Sequence, residues 1–434
     1  MLTHRHRTIL GDIPADWDAE PLKSLITDHF AGDWGDDEGE QAVAVLRSTN
    51  FTNDGLLDFS DIARRYFSKA QANHFGLLKG DLLVERSGGG PEQPVGRIGF
   101  IGRDMPGSTA SNFVQVLRAD PSKVDAEYLG WALFELQRTG IVERVQQQST
   151  QMRNLNWRDY QRLVLPWPKV DEQRRIASAI KLADDAVRYA QQKVVATRQF
   201  KLSVMSELFA RGLRSGCRDL QATKLGFIPA DWTVSELRSI WTGSANGLYV
   251  PEEHYGSGIP IVRIDAFNDG FFESQSFKRI RVKREDVEAF SLQPGDLLLN
   301  RVNSIPFLGK VAYVEVVPEF TVFESNMMRL RFASHELAKY LSLYLSVPAT
   351  KKRIWAMGRP AVAQLSINQR DVGKFLVALP GEAERKEIID AISIAQTAER
   401  QAALILESAF NVKQSVLQNL LSGRIRIPEG AINA

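Results

Sequence analysis

The residues of this sequence that could do chemistry are polar side chains suited to nucleic acid. The densest cluster lies between positions 351 and 374, where six Lys and Arg side chains occur with a single acid, Asp371. Glutamine, serine and asparagine residues lie among these cations. Cations bind phosphates, and Arg, Asn and Gln can form paired hydrogen bonds with base edges. The cluster therefore indicates nucleic-acid binding, and a plain solvated face remains the alternative.

Three segments in each half of the chain carry the candidate residues, apart from Lys351 and Lys352, which belong to the basic cluster. Two of them follow predicted strands, and the third is a polar loop. Because Arg pairs well with guanine and Asn or Gln with adenine, we expect these segments to contact DNA. For Arg47, Arg86 and Arg301, a salt bridge within the same domain remains the alternative. The candidates are Arg47, Thr49, Asn50, Arg86, Ser87, Gly88, Thr150, Gln151, Arg153 and Asn154 in the first half, and Arg263, Asp265, Arg301, Asn303, Ser304, Lys351, Lys352, Arg359, Gln364 and Ser366 in the second.

Four other polar residues near these candidates are expected to have structural roles and not to contact DNA. Asp81 and Asp296 each follow a glycine and are expected to shape the turn before a strand. Asn156 and Asn368 are expected to cap the start of a helix.

Catalytic motifs are absent from the sequence. It has neither the Asp-Pro-Pro-Phe or Asn-Pro-Pro-Tyr box of an adenine methyltransferase nor a Gly-x-x-x-x-Gly-Lys-(Ser/Thr) phosphate loop. The six histidines have no metal-ligand spacing, and the single cysteine, Cys217, excludes an internal disulfide. The glycines at 88–90 predict a flexible turn. We therefore expect a non-catalytic chain with no metal and no cofactor of its own.

Composition limits the class of protein. The 434 residues include 54 Lys and Arg against 52 Asp and Glu, and this net charge of +2 is not typical of a generic polyanion binder. The acidic stretch at 27–40 is interpreted as solvated surface. The sequence has no signal-peptide pattern, and no apolar run approaches the ~18 residues that would span a bilayer. We expect a cytoplasmic protein with no membrane partner.

The sequence contains an internal repeat. Ile13-Pro14-Ala15-Asp16-Trp17 returns 215 residues later at 228–232, and Gly80-Asp81-Leu82-Leu83 returns with the same offset at 295–298. Later matches, such as Glu172 with Glu384, are 212 residues apart. Such a small drift predicts two halves with one fold and a few short insertions.

Each half is predicted to contain a mixed α/β head followed by one long helix. The first head has expected strands at 43–48, 81–86, 95–101 and 113–118 and an amphipathic helix at about 125–147. Neither Gly nor Pro occurs between Glu172 and Ala210, and seam residues recur every three or four positions, as they do again from Ile388 to Leu420. The pattern predicts that the two long helices pair as a coiled coil; two unrelated surface helices are the alternative.

These elements predict an α+β (mixed α/β) architecture with an internal pseudo-twofold. Two similar heads, 1–168 and 214–380, alternate with long antiparallel helices at 169–213 and 381–425, and a tail follows at 426–434. About 40 helical residues span roughly 60 Å, so the helix pair could act as a rigid spacer. Two unequal heads held apart in this way could each read a different half-site on one DNA duplex.

The order of these motifs resembles the specificity subunit of type I restriction–modification systems over essentially the whole chain. The resemblance depends on the Ile-Pro-Ala-Asp-Trp segments, the Gly-Asp-Leu-Leu strands that lead to Arg86 and Arg301, the Leu165–Ile176 join and the helix ends before Gly212 and Gly423. The second join departs from the pattern, because Glu384-Arg385 stands where the first has Glu172-Gln173. We interpret this difference as drift in a helix cap.

The resemblance implies a division of labour between this chain and its partners. The heads would be target-recognition domains for double-stranded DNA, and the helices would set the spacing and dock two adenine-methyltransferase subunits. Restriction subunits with translocase and nuclease activity would join, so S-adenosylmethionine, ATP and Mg²⁺ would belong to the partners. The alternatives are a self-contained fused restriction–methylation enzyme and a non-DNA adaptor of the same architecture.

Overall fold

The computed structural model of the chain describes residues 5–89, 95–148, 152–213, 218–268, 271–272, 277–305, 307–317, 319–361 and 364–430. The chain divides into two compact units. The first unit comprises residues 1–191 and 405–434, and the second comprises residues 192–404. Both units combine sheets and helices, so the predicted fold class is confirmed. In the described part of the chain, no helix combines the length and apolar character needed to cross a membrane.

A four-stranded antiparallel sheet forms the centre of each unit. Its two middle strands are rich in Val and Leu in the first unit and in Leu and Met in the second, and most of their residues are buried in the core. The predicted strands of the first head are present within a few residues. The strand order is Ile26–Ala31, Val114–Ala119, Leu82–Glu85, Ile98–Phe100 in the first unit, and Trp241–Asn246, Met327–Phe332, Leu297–Asn300, Val311–Tyr313 in the second.

The Gly-Asp turns before two of these strands have the predicted structural role. The Asp81 carboxylate accepts the backbone N–H of Leu78 at 2.9 Å, and Asp296 accepts that of Gln293 at 2.8 Å. Each carboxylate also pairs with an arginine of the neighbouring strand.

Smaller sheets accompany the central sheet and follow a similar plan in the described residues of both units, with one additional strand pair in the second. In the first unit they comprise Ser108–Ala110 with Gln41–Leu46 and Ala63–Phe67, Gln146–Gln148 with Arg153–Leu155 and Ser87–Gly89, Asp18–Pro21 with Val164–Trp167, and Arg5–Thr8 with Gly11–Pro14. In the second unit they comprise Lys278–Ile280 with Tyr255–Val262 and Val322–Phe323, Val302–Asn303 with Gln364–Ser366 and Arg359–Ala361, Thr233–Glu236 with Leu376–Leu379, Leu220–Thr223 with Gly226–Pro229, and Phe267–Asn268 with Phe271–Phe272.

One helix covers the central sheet in each head. In the first unit this helix ends at Arg138, and not near 147 as the sequence pattern predicted. Gly140 takes a left-handed backbone conformation with φ of 73°, which ends the helix, and a short 3₁₀ helix at Ile141–Val145 then leads to the strand Gln146–Gln148. The helices of the heads are Lys69–His74, Ala126–Arg138 and Trp157–Tyr160, then Leu237–Ile240, Arg284–Val287, His335–Ser346, Pro348–Trp355 and Gln369–Gly373.

The two long helices run through Val170–Arg211 and Glu382–Leu421. In the first unit, Ile176 and Ile180 near the start of the first helix share a core with Leu417 and Leu420 near the end of the second. In the second unit, Met205 and Leu208 share a core with Ile388 and Ile392. The helix segments are therefore antiparallel in each unit, as the repeated seam predicted.

An ion pair joins the long helices in each unit, and it is almost fully buried in the first. In the first unit, the Lys413 ammonium lies 2.6 Å from the Asp184 carboxylate, and the two side chains are only 5% and 4% exposed. In the second unit, Lys201, the repeat counterpart of Lys413, pairs with Glu399 at 2.5 Å. Glu399 lies three residues beyond the counterpart of Asp184, so the acid has moved by about one helical turn while the lysine has kept its place.

Candidate nucleic-acid interface

Two of the three predicted segments of each head form one three-stranded sheet, which we call the reading sheet. In the first unit the strand Arg153–Leu155 lies between Ser87–Gly89 and Gln146–Gln148. In the second unit the strand Gln364–Ser366 lies between Val302–Asn303 and Arg359–Ala361. The reading sheet thus brings together residues that are more than 60 positions apart in the sequence.

Arg86 and Arg301 hold each reading sheet against the central sheet through their backbones. The Arg86 N–H donates to Phe113 O, and its carbonyl accepts the N–H of Leu155, both at 2.8 Å. The Arg301 N–H donates to Asn326 O at 2.9 Å, and its carbonyl accepts the N–H of Ile367 at 2.8 Å. The two residues therefore occupy the same structural position in the repeat.

Each reading sheet contains two rows of three directly paired residues, and one row in each sheet includes Gln147 or its repeat counterpart Arg359. In the first unit the row is Ser87, Asn154 and Gln147. Their repeat counterparts Val302, Ser366 and Arg359 form the row of the second unit. Directly paired residues project their side chains from the same face of a sheet, about 5 Å apart. The two rows have the same pattern of strand pairing but different chemistry.

Arginines near the reading sheets have partners within their own heads. Arg47 pairs with Asp61 at 2.7 Å, and Arg359 pairs with Asp371 at 2.9 Å. The Arg86 guanidinium donates to the Gln115 side chain at 3.4 Å, and that of Arg301 donates to Ser325 O at 3.0 Å. Arg359 nevertheless keeps 67% of its side chain exposed. Surface pairs of this kind are weak, so phosphates or bases could replace these partners.

Arg263 has a similar environment at the end of its strand. Its guanidinium lies 3.6 Å from Glu324 and 3.8 Å from Asp265, and it stacks over the Tyr255 ring. Burial raises the pKa of Glu324 above its ordinary value.

Asn50 was predicted to contact DNA, but it has a structural role. Its side chain is buried, its amide donates to the carbonyls of Asp58 and Asp61, and its carbonyl accepts the backbone N–H of Arg47. The amide is therefore fully used in holding the turn that follows the strand Gln41–Leu46. The neighbouring Thr49 is exposed.

The remaining predicted residues divide by location. Lys351 and Lys352 lie on the helix Pro348–Trp355 and not in a reading sheet. Gly88, Arg153, Asn303 and Gln364 lie in the reading sheets, and Ser304 directly follows a strand of one of them. Thr150 and Gln151 lie outside the described residues. Gln147, which the sequence pattern placed at the end of a helix, joins a reading sheet; the run Gln146-Gln147-Gln148 has little apolar character and could have signalled this.

Asn156 and Asn368 cap short helices beside the reading sheets, as predicted. The Asn156 side chain accepts the N–H of Asp159, and that of Asn368 accepts the N–H of Asp371. These caps fix the chain at the end of the third segment.

Each unit contains an ion-pair cluster around one arginine, which we call the clamp. The sequence pattern did not predict it. In the second unit, Arg218 pairs with Glu384 at the start of a long helix and with Asp231 of the repeated Ile-Pro-Ala-Asp-Trp segment, and it stacks over Trp232. Burial by itself would raise the pKa of Glu384, but hydrogen bonds from Arg218 and Trp232 outweigh it and hold that pKa below its ordinary value.

The clamp of the first unit has the same parts. Arg426 pairs with Glu172 and Asp16 and stacks over Trp17. The hydrogen bond from Arg426 holds the pKa of Asp16 below its ordinary value. The repeated Ile-Pro-Ala-Asp-Trp segment therefore has a structural role. The clamp could not be predicted from the sequence, because a single Arg after each long helix is too weak a signal.

The joins between head and long helix differ at one residue, which makes different contacts in the two units. The Gln173 amide donates to the carbonyls of Lys123 and Pro168 and accepts the N–H of Asp125. Arg385, its counterpart, pairs with Glu336 and donates to Pro380 O. The neighbouring Glu172 and Glu384 form the ion pairs of the clamps. The sequence difference between the two joins therefore changes packing contacts and is more than drift in a helix cap.

Comparisons with known proteins agree with this architecture. No family model matches the chain. The chain is 33% identical over 177 residues to the type I restriction enzyme MjaX specificity subunit of Methanocaldococcus jannaschii, and the match covers 40% of this chain. It is 25% identical over 193 residues to the type I restriction enzyme EcoKI specificity subunit of Escherichia coli, and this match covers 43% of the chain. Each match spans 42% of the relative's own length.

Two solved structures have the same fold over nearly the whole chain. A chain from a structural study of the assembly and conformational transition of a type I R-M system superimposes with a TM-score of 0.60, at 15% identity, over 95% of this chain and 99% of its own length. The type I S subunit from M. genitalium gives a TM-score of 0.54, at 14% identity, over 93% and 96%. The chain is therefore similar in sequence to type I restriction enzyme specificity subunits and has the fold of their solved structures, which confirms the resemblance that its repeated motifs indicated.

Proposed function

We propose that this chain is the DNA-specificity subunit of a type I restriction–modification complex, and that each head reads one half of a bipartite, asymmetric DNA site. The observation that carries this proposal is the pair of matching rows. Ser87, Asn154 and Gln147 stand where Val302, Ser366 and Arg359 stand in the other head. A repeat that keeps its backbone and changes one row of side chains is suited to reading two different sequences.

The chemistry of the rows favours different bases. Asn and Gln present an amide that matches the N6 and N7 edge of adenine, whereas Arg matches the O6 and N7 edge of guanine. The first row would therefore favour adenine, and the second row would favour guanine through Arg359. Exposed cations elsewhere on the heads, among them Lys352, would contact phosphates and add affinity without sequence preference.

Exposed apolar side chains on the long helices support docking of partner proteins. In the first unit, Leu182 is 73% exposed and Tyr189 is 69% exposed. In the second unit, Ile394, the repeat counterpart of Leu182, is 74% exposed, and Phe200 is also exposed. Large exposed apolar residues, one pair of them at matched positions, support a protein-binding surface on each long helix. We propose that one adenine-methyltransferase subunit docks in each unit and that restriction subunits join them.

The chemistry of the complex would belong to these partners. Within the described ranges no cluster of His, Cys, Asp and Glu could hold a metal ion. We propose that S-adenosylmethionine, ATP and Mg²⁺ bind to the partners and that this chain is non-catalytic. We propose that the complex is located in the cytoplasm.

Selection of binding sites from random duplex DNA tests the proposal. The full chain assembled with its methyltransferase subunits should enrich two specified blocks separated by an unread gap. Gln147→Ala should relax one block and Arg359→Ala the other. A single block, no enrichment, or equal relaxation of both blocks by either variant would count against two-headed reading.

Two further measurements separate the alternatives. Methyl transfer from labelled S-adenosylmethionine by the chain alone would favour a fused enzyme, and none is expected. An assembled complex that has no DNA affinity at low salt would favour an adaptor.

A further inference from the structure

The first head contains an open pocket beside its reading sheet, with a volume of about 490 Å³. Three of its lining residues, Arg47, Thr49 and Gly88, were predicted to contact DNA. The sequence pattern did not predict such contacts for the other lining residues. The lining residues belong to or follow four strands: Ile26–Ala31, Gln41–Leu46, Ser87–Gly89 and Ser108–Ala110.

Two aromatic side chains line the pocket. Phe113 is 41% exposed, which is unusual for a large apolar side chain. Trp34 is half-buried, and the Arg65 guanidinium lies over its ring, 5.2 Å from the centroid, while Arg65 Nε donates to Trp34 O at 3.2 Å. A tryptophan held in place and an exposed phenylalanine present flat apolar surfaces on which a nucleobase can stack.

Two buried polar atoms of the lining residues have no hydrogen-bond partner within the described part of the chain. They are Ser111 Oγ and Arg47 Nε. Ser111 is only 2% exposed, and Arg47 pairs with Asp61 through a different nitrogen, Nη2. Buried polar groups are normally hydrogen-bonded, so a bound group would satisfy both atoms. The pocket therefore suits a flat ligand with hydrogen-bonding groups at its edge.

The second head provides an internal comparison, because both key positions have structural counterparts there. The carbonyls of Phe113 and Asn326 accept the N–H groups of the equivalent arginines at the two reading sheets. The N–H groups of Ser111 and Glu324 each donate to the last residue of the neighbouring parallel strand. Phe113 is thus replaced by an asparagine and Ser111 by a glutamate.

The second head uses this glutamate for contacts of its own. The Glu324 carboxylate accepts the N–H of Ile264 at 2.7 Å and lies 3.6 Å from the Arg263 guanidinium. A charged, paired side chain therefore stands where the first head has an unsatisfied hydroxyl, and no aromatic ring stands at the place of Phe113. The combination of rings and unsatisfied polar atoms belongs to the first head.

We propose that this pocket receives one unstacked nucleobase from the DNA block that the first head reads. The base would lie against Phe113 and Trp34, and its edge would form hydrogen bonds with Ser111 Oγ and Arg47 Nε. Gly88 connects the pocket to the reading row, because it follows Ser87 in the same strand. This inference rests on the proposed function, since it requires that the first head meets its block at the reading sheet.

A mismatch scan of the first block tests the inference. The full chain, assembled with its methyltransferase subunits, is titrated with duplexes that carry one mismatch at each position in turn. Because an unpaired base is easier to extrude, one position should bind about tenfold more tightly when the partner of its base is changed. Phe113→Asn gives the pocket the residue of the second head. It should abolish this gain and weaken binding to the paired site by about fivefold or more.

Matched controls separate the pocket from other sources of the same effect. Methyltransferases extrude their own target bases, and gains at those positions should persist in Phe113→Asn. Phe59→Ala removes another exposed phenylalanine of the first head, outside the pocket, and should leave binding unchanged. Ser111→Ala removes the unsatisfied hydroxyl with little change in volume and should weaken binding severalfold.

Two results would overturn the inference while leaving the proposed function intact, provided that site selection still enriches two blocks. These are mismatch gains that all persist in Phe113→Asn, and equal loss of affinity in Phe113→Asn and Phe59→Ala. A complex that enriches no block would overturn the proposed function and this inference together. Circular dichroism checks folding, and Ser111→Ala, with the same expected direction, replaces Phe113→Asn in the mismatch scan if that variant unfolds.

Discussion

The two units share the strand order of their central sheets but stabilise those sheets with different polar groups at one buried position. In the first unit, Glu85 and Arg97 form a bidentate ion pair, and Arg97 also donates to two backbone carbonyls. In the second unit the counterparts are Asn300 and Lys310. Asn300 is fully buried, and its amide has no hydrogen-bond partner among the described residues.

This difference separates contacts that the fold requires from contacts that it tolerates. The buried tyrosine of the head helix donates to a backbone carbonyl in both units, from Tyr128 to Pro166 O and from Tyr340 to Ala378 O. The clamps and the backbone bonds of Arg86 and Arg301 are also present twice. The buried ion pair beside the central sheet is present once, so a single unit can fold around quite different side chains at that place.

Glu85→Gln should have the largest effect on stability. It leaves Arg97 buried without its counter-charge, which typically costs about 3–5 kcal/mol. Asn300→Ala removes no hydrogen bond within the described residues and should cost about 1 kcal/mol or less. Urea unfolding, with hydrogen exchange at the strands Leu82–Glu85 and Leu297–Asn300, measures both effects. Equal effects of the two changes would show that the ion pair is not what distinguishes the units.

The helix seam should respond less strongly, and unequally in the two units. Asp184→Asn removes the negative charge that pairs with Lys413, whose side chain is almost fully buried. The change should therefore lower the free energy of unfolding by about 3 kcal/mol. Glu399→Gln should cost about 1 kcal/mol, because Glu399 is 22% exposed and solvent can screen Lys201. Thermal unfolding of both variants tests the ranking, and a reversed order would contradict it.

Exchanging side chains between the rows should shift base preference. Gln147→Arg should move the first block toward guanine and Arg359→Gln the second toward adenine, each by about 1–3 kcal/mol of discrimination. Site selection with the assembled complex gives the readout, and the untouched block of each variant serves as its control. A change in overall affinity with both blocks preserved would assign these residues to phosphate contacts.

The smallest expected effect is the pH dependence of the clamps. The folded-state pKa of Glu384 lies below its ordinary value, so this group stabilises the second unit above pH ~4.5, and the contribution is lost as pH falls through the folded pKa. Glu384→Gln should therefore flatten the acid limb of the melting temperature between pH 3 and 6, and Asp16→Asn should do the same for the first unit. A melting profile as steep as that of the unchanged protein would mean that other carboxylates dominate acid unfolding.

The repeat and the helix seam were readable in the sequence because they depend on spacing. Ile176 and Ile388 recur at fixed offsets, and the turn roles of Asp81 and Asp296 follow from local chemistry. The pairing of strands that are distant in the sequence could not be predicted. Nothing local to Gln147 indicates that it pairs with Asn154, and the helical pattern before it overrode a strand that only neighbouring strands stabilise. The clamp of Arg426 joins residues more than 250 positions apart, which no local pattern encodes.

The division of the chain between the units has a consequence for synthesis on the ribosome. The second unit is one continuous segment, 192–404, whereas the first needs residues 405–434 from the far end of the chain. Leu417, Leu420 and Leu421 belong to the core of the first unit. Until they are made, Ile176 and Ile180 have no helix to cover them. The head that is translated first is therefore the last to be completed.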